Sequence, residues 1–109
     1  MAAPPLDLGN GQYVSGETRL PTLCRALGQR WSEPALADRI RVSLRRFGLL
    51  SVWNIRNRDR HELEQIFAAA GIDFVVLDKL EQALLYGADD DFKFTDGGGG
   101  AVLDPAAVR

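Results

Sequence analysis

Apolar positions in the first half of the chain recur with a helical period. Leu20, Leu23, Cys24 and Leu27 stand at i, i+3, i+4 and i+7, which places them on one helix face. Thr18 is suited to cap that helix, and Pro21 to its first turn, where a missing N–H does no harm. The pattern fades over Gly28–Trp31 and restarts at Ser32-Glu33-Pro34, a second cap followed by a first-turn proline. Leu36, Ile40, Leu44 and Phe47 then mark the face of a second helix, with Gly48 as its left-handed stop.

From Leu49 the pattern changes. Leu49, Ser51, Trp53 and Ile55 alternate with Leu50, Val52, Asn54 and Arg56, which predicts a strand over 49–56 covered on both faces, with Trp53 in the core. Asp59, followed three residues later by Glu62, opens a helix whose face is Leu63, Ile66, Phe67 and Ala70 and whose stop is Gly71. Ile72–Leu77 is a nearly unbroken apolar run and predicts a second buried strand. Two such strands around a helix make a parallel β-α-β unit with a right-handed crossover. Asp78 then opens a short helix with Leu80, Ala83 and Leu84 facing inward, ending near Gly87. FKFT and AVLD around a DGGGG loop suggest a closing β-hairpin.

The expected fold class is α/β (or α+β). It is a single small domain with a mixed sheet of about four strands around the β-α-β unit, preceded by two helices. Residues 1–17, rich in proline and glycine, read as a flexible N-terminal arm with a short edge strand at Gln12–Val14. The globular part is expected over 18–104, and residues 105–109 as a frayed end.

Composition narrows the classes. The chain has 109 residues, of which 46% are hydrophobic and 26% charged, ordinary values for one globular domain with one modest core. A single cysteine, Cys24, excludes an internal disulfide and any multi-cysteine zinc site within one chain. No apolar run approaches the ~20 residues of a membrane span. The opening MAAPPLDLGNGQ has no basic start or apolar core, so no secretory signal is expected and the expected location is cytoplasmic. Net charge is −2, but residues 1–60 carry +5, with ten arginines, and residues 61–109 carry −7. Most of that asymmetry is read as ordinary surface charge; a partner-facing or self-associating polarity is the sharper alternative.

Candidate chemistry is sparse. In open α/β sheets ligands bind beyond the carboxyl ends of the strands, where this reading places Arg56, Asn57 and Arg58 after one strand and Asp78 and Lys79 after the other. Arginines beside a helix N-terminus suit a small anionic ligand, so one alternative is a small anionic-ligand-binding protein or enzyme that uses the rim at 56–59 and 78–79. The turn lacks phosphate-cradling glycines, however, and Asp59 would oppose an anion. Polar turn residues that cap a helix are the commoner outcome. A second alternative is a DNA-binding regulator that uses the basic helix 32–47 through Arg39, Arg41, Arg45 and Arg46. Those arginines straddle the apolar face and do not form one stripe, and the chain is acidic as a whole.

His61 and Cys24 lie on different predicted helices, and Cys24 stands on an apolar face, which argues against a Cys–His nucleophile. Asp89, Asp90, Asp91 and Asp96 do not meet the calcium-loop pattern, since the sixth and twelfth positions are Phe94 and Gly100. No metal site, cofactor site or catalytic set assembles at recognisable spacing. The expectation is a non-enzymatic interaction or regulatory module. It would engage a protein partner or itself, as a homo-oligomer or a small subunit of a larger assembly.

Overall fold

The computed structural model describes residues 5–9, 11–87 and 89–95. Among them the chain is mostly helical. Two short strands, β1 (Asp7–Gly9) and β2 (Gln12–Tyr13), pair antiparallel as a hairpin. Five helices follow: α1 (Leu20–Trp31), α2 (Pro34–Arg46), α3 (Val52–Arg56), α4 (Arg60–Ala69) and α5 (Val75–Ala83).

The helices with a clear period form where the sequence places them. Leu20, Leu23, Cys24 and Leu27 are all buried on α1. The helix ends at Ser32, which takes a left-handed φ of 56° and so closes α1 instead of capping α2. Thr18 does not cap α1 either; its hydroxyl accepts the Ser15 N–H at 2.9 Å and fixes the turn that precedes the helix. α2 packs against α1 through Ala37, Ile40 and Leu44 and ends at Gly48, at φ 81°. Phe47, expected on its apolar face, is instead 51% exposed. Asp59 caps α4 by accepting the Glu62 N–H at 3.1 Å, and Leu63, Ile66 and Phe67 are buried beneath it.

The four-stranded mixed sheet and its β-α-β unit are overturned. Of the predicted strand 49–56, only the first residues are extended. Leu50 accepts the Leu20 N–H at 2.9 Å, and Ser51 bridges Arg19 in antiparallel fashion. There the chain turns helical, for a local reason. The Ser51 hydroxyl accepts the Asn54 N–H at 3.4 Å, while Asn54 Oδ1 accepts the Leu50 N–H at 3.1 Å, a reciprocal cap that starts α3. Helical period then buries Val52 and Ile55 and turns Trp53 outward, 62% exposed, which reverses the expected core position of that tryptophan.

The predicted strand 72–77 is a turn and the start of α5. Ile72 is buried, but Asp73 accepts the Val75 N–H at 3.0 Å, and Phe74 and Val75 are exposed. Val76, Leu77, Leu80, Ala83 and Leu84 are buried at i, i+1, i+4, i+7 and i+8, one continuous helix face. The helix expected from Asp78 therefore begins three residues earlier, at Val75.

After α5 the described residues form no further helix or strand. Phe94 is buried, and its N–H donates to Glu81, while the Arg60 N–H donates to the Thr95 carbonyl at 2.7 Å. The first arm of the expected closing hairpin is thus an irregular strap over α4 and α5; its second arm, with Gly97–Gly100 and residues 105–109, lies outside the described residues. At the other end, Leu6 and Val14 are buried in the common core, so the described part of residues 1–17 is docked on α1. No described helix is long and apolar enough to cross a membrane.

Candidate functional site

α3 is one and a half turns of helix with its two sides fixed differently. Val52 and Ile55 anchor it in the core. Arg56, on the next flank, reaches the strap: its guanidinium lies 4.0 Å from the Tyr86 ring centroid, 4.2 Å from that of Phe92, and 3.2 Å from Asp90 Oδ1. Asp90 also accepts the N–H groups of Tyr86 at 3.0 Å and Phe92 at 3.1 Å. Burial raises the Asp90 pKa, but the Tyr86 N–H, the Arg56 charge and the Phe92 N–H outweigh it and hold the carboxyl below its ordinary value. This clasp locks α3 to the strap.

What α3 leaves outside is Trp53. Asn57 Nδ2 donates to the Trp53 carbonyl at 2.8 Å and closes the helix beside it. On one side of the indole, the Ser15–Glu17 turn approaches so closely that a Cβ on Gly16 would stand 3.5 Å from Trp53 Cε3 and 3.2 Å from Tyr86 Oη. That side opens into a depression of about 820 Å³, walled also by Glu17, Arg19 and Ser51. On the other side lies a smaller hollow of about 350 Å³, lined by Asn54, Asn57, Arg58 and Glu62. The Arg58–Glu62 pair, at 3.2 Å, divides it from a third hollow of about 300 Å³ that is bounded by Phe47 and Ile66. The three hollows share walls, so they form one surface. On it Phe47 is 51% and Trp53 62% exposed.

The residues singled out from sequence are dispersed among separate partners. Of the rim set, Asn57 and Arg58 meet in the hollow beside Trp53. Arg56 is enclosed by the strap, as described. Asp78 accepts from Arg60 at 2.9 Å. Lys79 sits 3.4 Å from Glu33 and 4.9 Å from the Trp31 ring centroid. The five do not converge on one cavity among the described residues. Of the basic helix, Arg39 donates to the carbonyls of Ala70 and Gly71 at 2.6 and 3.2 Å, tying α2 to the end of α4. Arg41 pairs with Asp38 at 2.6 Å. Arg45 and Arg46, in the last turn of α2, are exposed.

No nucleophile or metal centre emerges among the described residues. Burial pushes the Cys24 thiol up to about 12, so it stays protonated. His61 is exposed, with its Nε2 3.1 Å from Gln65 Nε2. No group of three or more histidine, cysteine or carboxylate side chains among the described residues could hold a metal ion. Asp90, expected in a solvated loop, is the structural hub of the strap instead.

Sequence reasoning missed Trp53 as a surface residue. The signal that could have found it is the spacing of Val52 and Ile55, together with the Ser51–Asn54 cap. The clasp on Arg56 had no comparable signal, since it joins residues more than thirty positions apart. No protein-family model matches the chain, and neither a curated protein nor a solved structure does.

Proposed function

We propose that this chain is a non-enzymatic interaction module that engages a protein partner through the surface on which Trp53 stands. The observation that carries this reading is the tryptophan, 62% exposed on a helix whose other side is anchored by buried Val52 and Ile55. Tryptophan is the residue most enriched among those that dominate binding energy, and a rigid mount lowers the ordering cost of using it. Phe47, at the edge of the adjoining hollow, extends the apolar area, and Asn54, Asn57, Arg58 and Glu62 supply a polar rim. An apolar centre with a polar margin is the anatomy of a protein interface.

The duplex-DNA alternative loses support from how two of its arginines are used, since Arg39 ties α2 to the end of α4 and Arg41 pairs with Asp38 within α2. The anionic-ligand alternative loses support because Arg56, Arg58 and Lys79 each face a different carboxylate.

The test compares proteins retained from a lysate of the source by the full chain and by Trp53→Ala. The substitution removes little buried surface, so the melting temperature should hold within a few degrees. A central interface tryptophan contributes about 2 kcal/mol or more, so specific partners should be lost from the variant. If the two retain the same set, the surface is not the binding site.

A further inference from the structure

We infer that the Trp53 surface takes a second copy of this chain across a two-fold axis, an inference that rests on the interaction reading above. Its basis is a surface that complements itself in shape and in charge. The Trp53 indole stands between the depression walled by Ser15, Gly16 and Arg19 and the smaller hollow lined by Asn54 and Asn57. At 62% exposed it projects from α3, and the depression beside it holds about 820 Å³, room for an indole. A projection and a recess side by side on one face fit their own copies. A two-fold axis between them seats each indole in the other copy's depression.

The charges of that surface lead to the same partner. Glu17, Arg19, Arg58 and Glu62 balance to zero. Arg58 and Glu62 pair with each other at 3.2 Å, whereas among the described residues no hydrogen bond or ion pair engages the side chains of Glu17 and Arg19. Those two are exposed, stand two residues apart, and line the depression together. An occupant that covers them takes both charges out of water, so it has to bring a cation to one and an anion to the other. The two-fold arrangement does so with one contact made twice, each copy's Glu17 against the partner's Arg19.

Simpler occupants meet only part of this. A peptide of one charge sign would cover either Glu17 or Arg19 without pairing it. An anionic bilayer would meet Arg19 but press Glu17 and Glu62 against its headgroups, and a flat lipid interface would leave the depression unfilled. A contact made of the indole, the depression and its two charges is small, so the dimer is a weak one that forms in the micromolar range or above.

Sedimentation velocity of the full chain over a series from about 1 μM to about 1 mM should show a monomer passing into a dimer. Trp53→Ala should weaken that dimer about tenfold or more. Each charge substitution enters the contact twice. E17R sets arginine against arginine and R19E sets glutamate against glutamate, so each should also weaken the dimer about tenfold or more. The double variant E17R/R19E restores opposite charges in both pairs and should dimerise within about threefold of the original chain. An equimolar mixture of E17R and R19E should give a mixed dimer that neither forms alone, which also shows that both variants are folded. If R19E does not fold, E17R alone decides the charge contact, since it leaves Arg19 untouched. A chain that stays monomeric throughout the series overturns the inference. So does a dimer that Trp53→Ala or E17R leaves intact, or a folded double variant that stays as weak as the single ones. A monomer that retains lysate proteins only when Trp53 is present keeps the interaction reading and loses the second copy. A monomer whose retained set does not depend on Trp53 loses both.

Discussion

Tyr86 holds a buried phenolic oxygen that has no hydrogen-bond partner among the described residues. It is covered by the Ser15–Glu17 turn, where Gly16 leaves room for it; a methyl there would stand 3.2 Å from the oxygen. An unsatisfied buried hydroxyl costs about 1–3 kcal/mol, whereas the ring itself is needed as one face of the Arg56 stack. Tyr86→Phe keeps the ring and removes the oxygen. Urea denaturation should therefore show the variant to be as stable as the original chain, or more stable by up to about 1 kcal/mol. Gly16→Ala should lower stability by about 1–2 kcal/mol through overpacking against both rings. In the Tyr86→Phe background that loss should shrink, because the nearest atom is gone. Purely additive effects in this cycle would mean that the turn and the ring are not in the contact described. Neither residue stood out in the sequence, because a glycine in a polar turn and a tyrosine after a helix carry no local pattern. Their relation exists only in the folded chain, where α3 sets Trp53 beside Gly16 and Arg56 against the Tyr86 ring.

Elements were legible where period and caps agreed. α1, α2 and α4 repeat their apolar residues over two turns, and α4 also has its Asp59 cap. The segments misread as strands are short apolar runs, which period alone cannot separate from buried helix. In both, a polar residue at the start decided the matter: Ser51 with Asn54 for α3, and Asp73 for α5. Ser51→Ala should then cost about 1 kcal/mol, and Asn54→Ala a similar amount. Both losses are to be read by denaturation, and the circular dichroism lost should be no more than a five-residue helix can give. The strap adds a pH dependence. Asp90 has its pKa lowered in the folded state, so its stabilising effect is full above the unfolded carboxyl value near 3.8 and disappears as pH falls through the folded value. Asp90→Asn should be less stable than the original chain at pH 6. Its stability should also decline less steeply below about pH 4. Parallel curves for the two proteins would show that the Arg56–Asp90 clasp does not contribute. The same misreading of α3 hid the site: drawn as a strand, it sends Trp53 inward beside Leu49 and Ile55, and only the helical register leaves Asn57 and Arg58 beside an exposed indole.

At the scale of the whole molecule, the question is how much of the chain belongs to one cooperative unit. The proline and glycine content of residues 1–17 suggests a loose arm, yet Leu6 is 1% exposed and Val14 3%. The Val14 N–H donates to the Leu6 carbonyl at 3.0 Å, so the hairpin closes on itself just where it enters the core. Arg25 on α1 adds a bond to the Leu8 carbonyl at 3.4 Å. A leucine this buried costs about 2–5 kcal/mol when cut to alanine, a large share of the 5–15 kcal/mol that holds a small domain folded. If the hairpin is part of the unit, Leu6→Ala should lower the melting temperature by on the order of 10 °C or more in a single transition. Tyr13→Ala, on the exposed side of the same hairpin, should change it little. A hairpin that merely rests on α1 would behave differently. It would open below the main transition, Leu6→Ala would leave that transition in place, and hydrogen exchange at the Val14 amide would match that of an unfolded peptide. The burial of Leu6 on the face of α1 that also carries Ala26 favours the first outcome. It would make the N-terminal hairpin part of the cover of the core, through Leu6 and Val14.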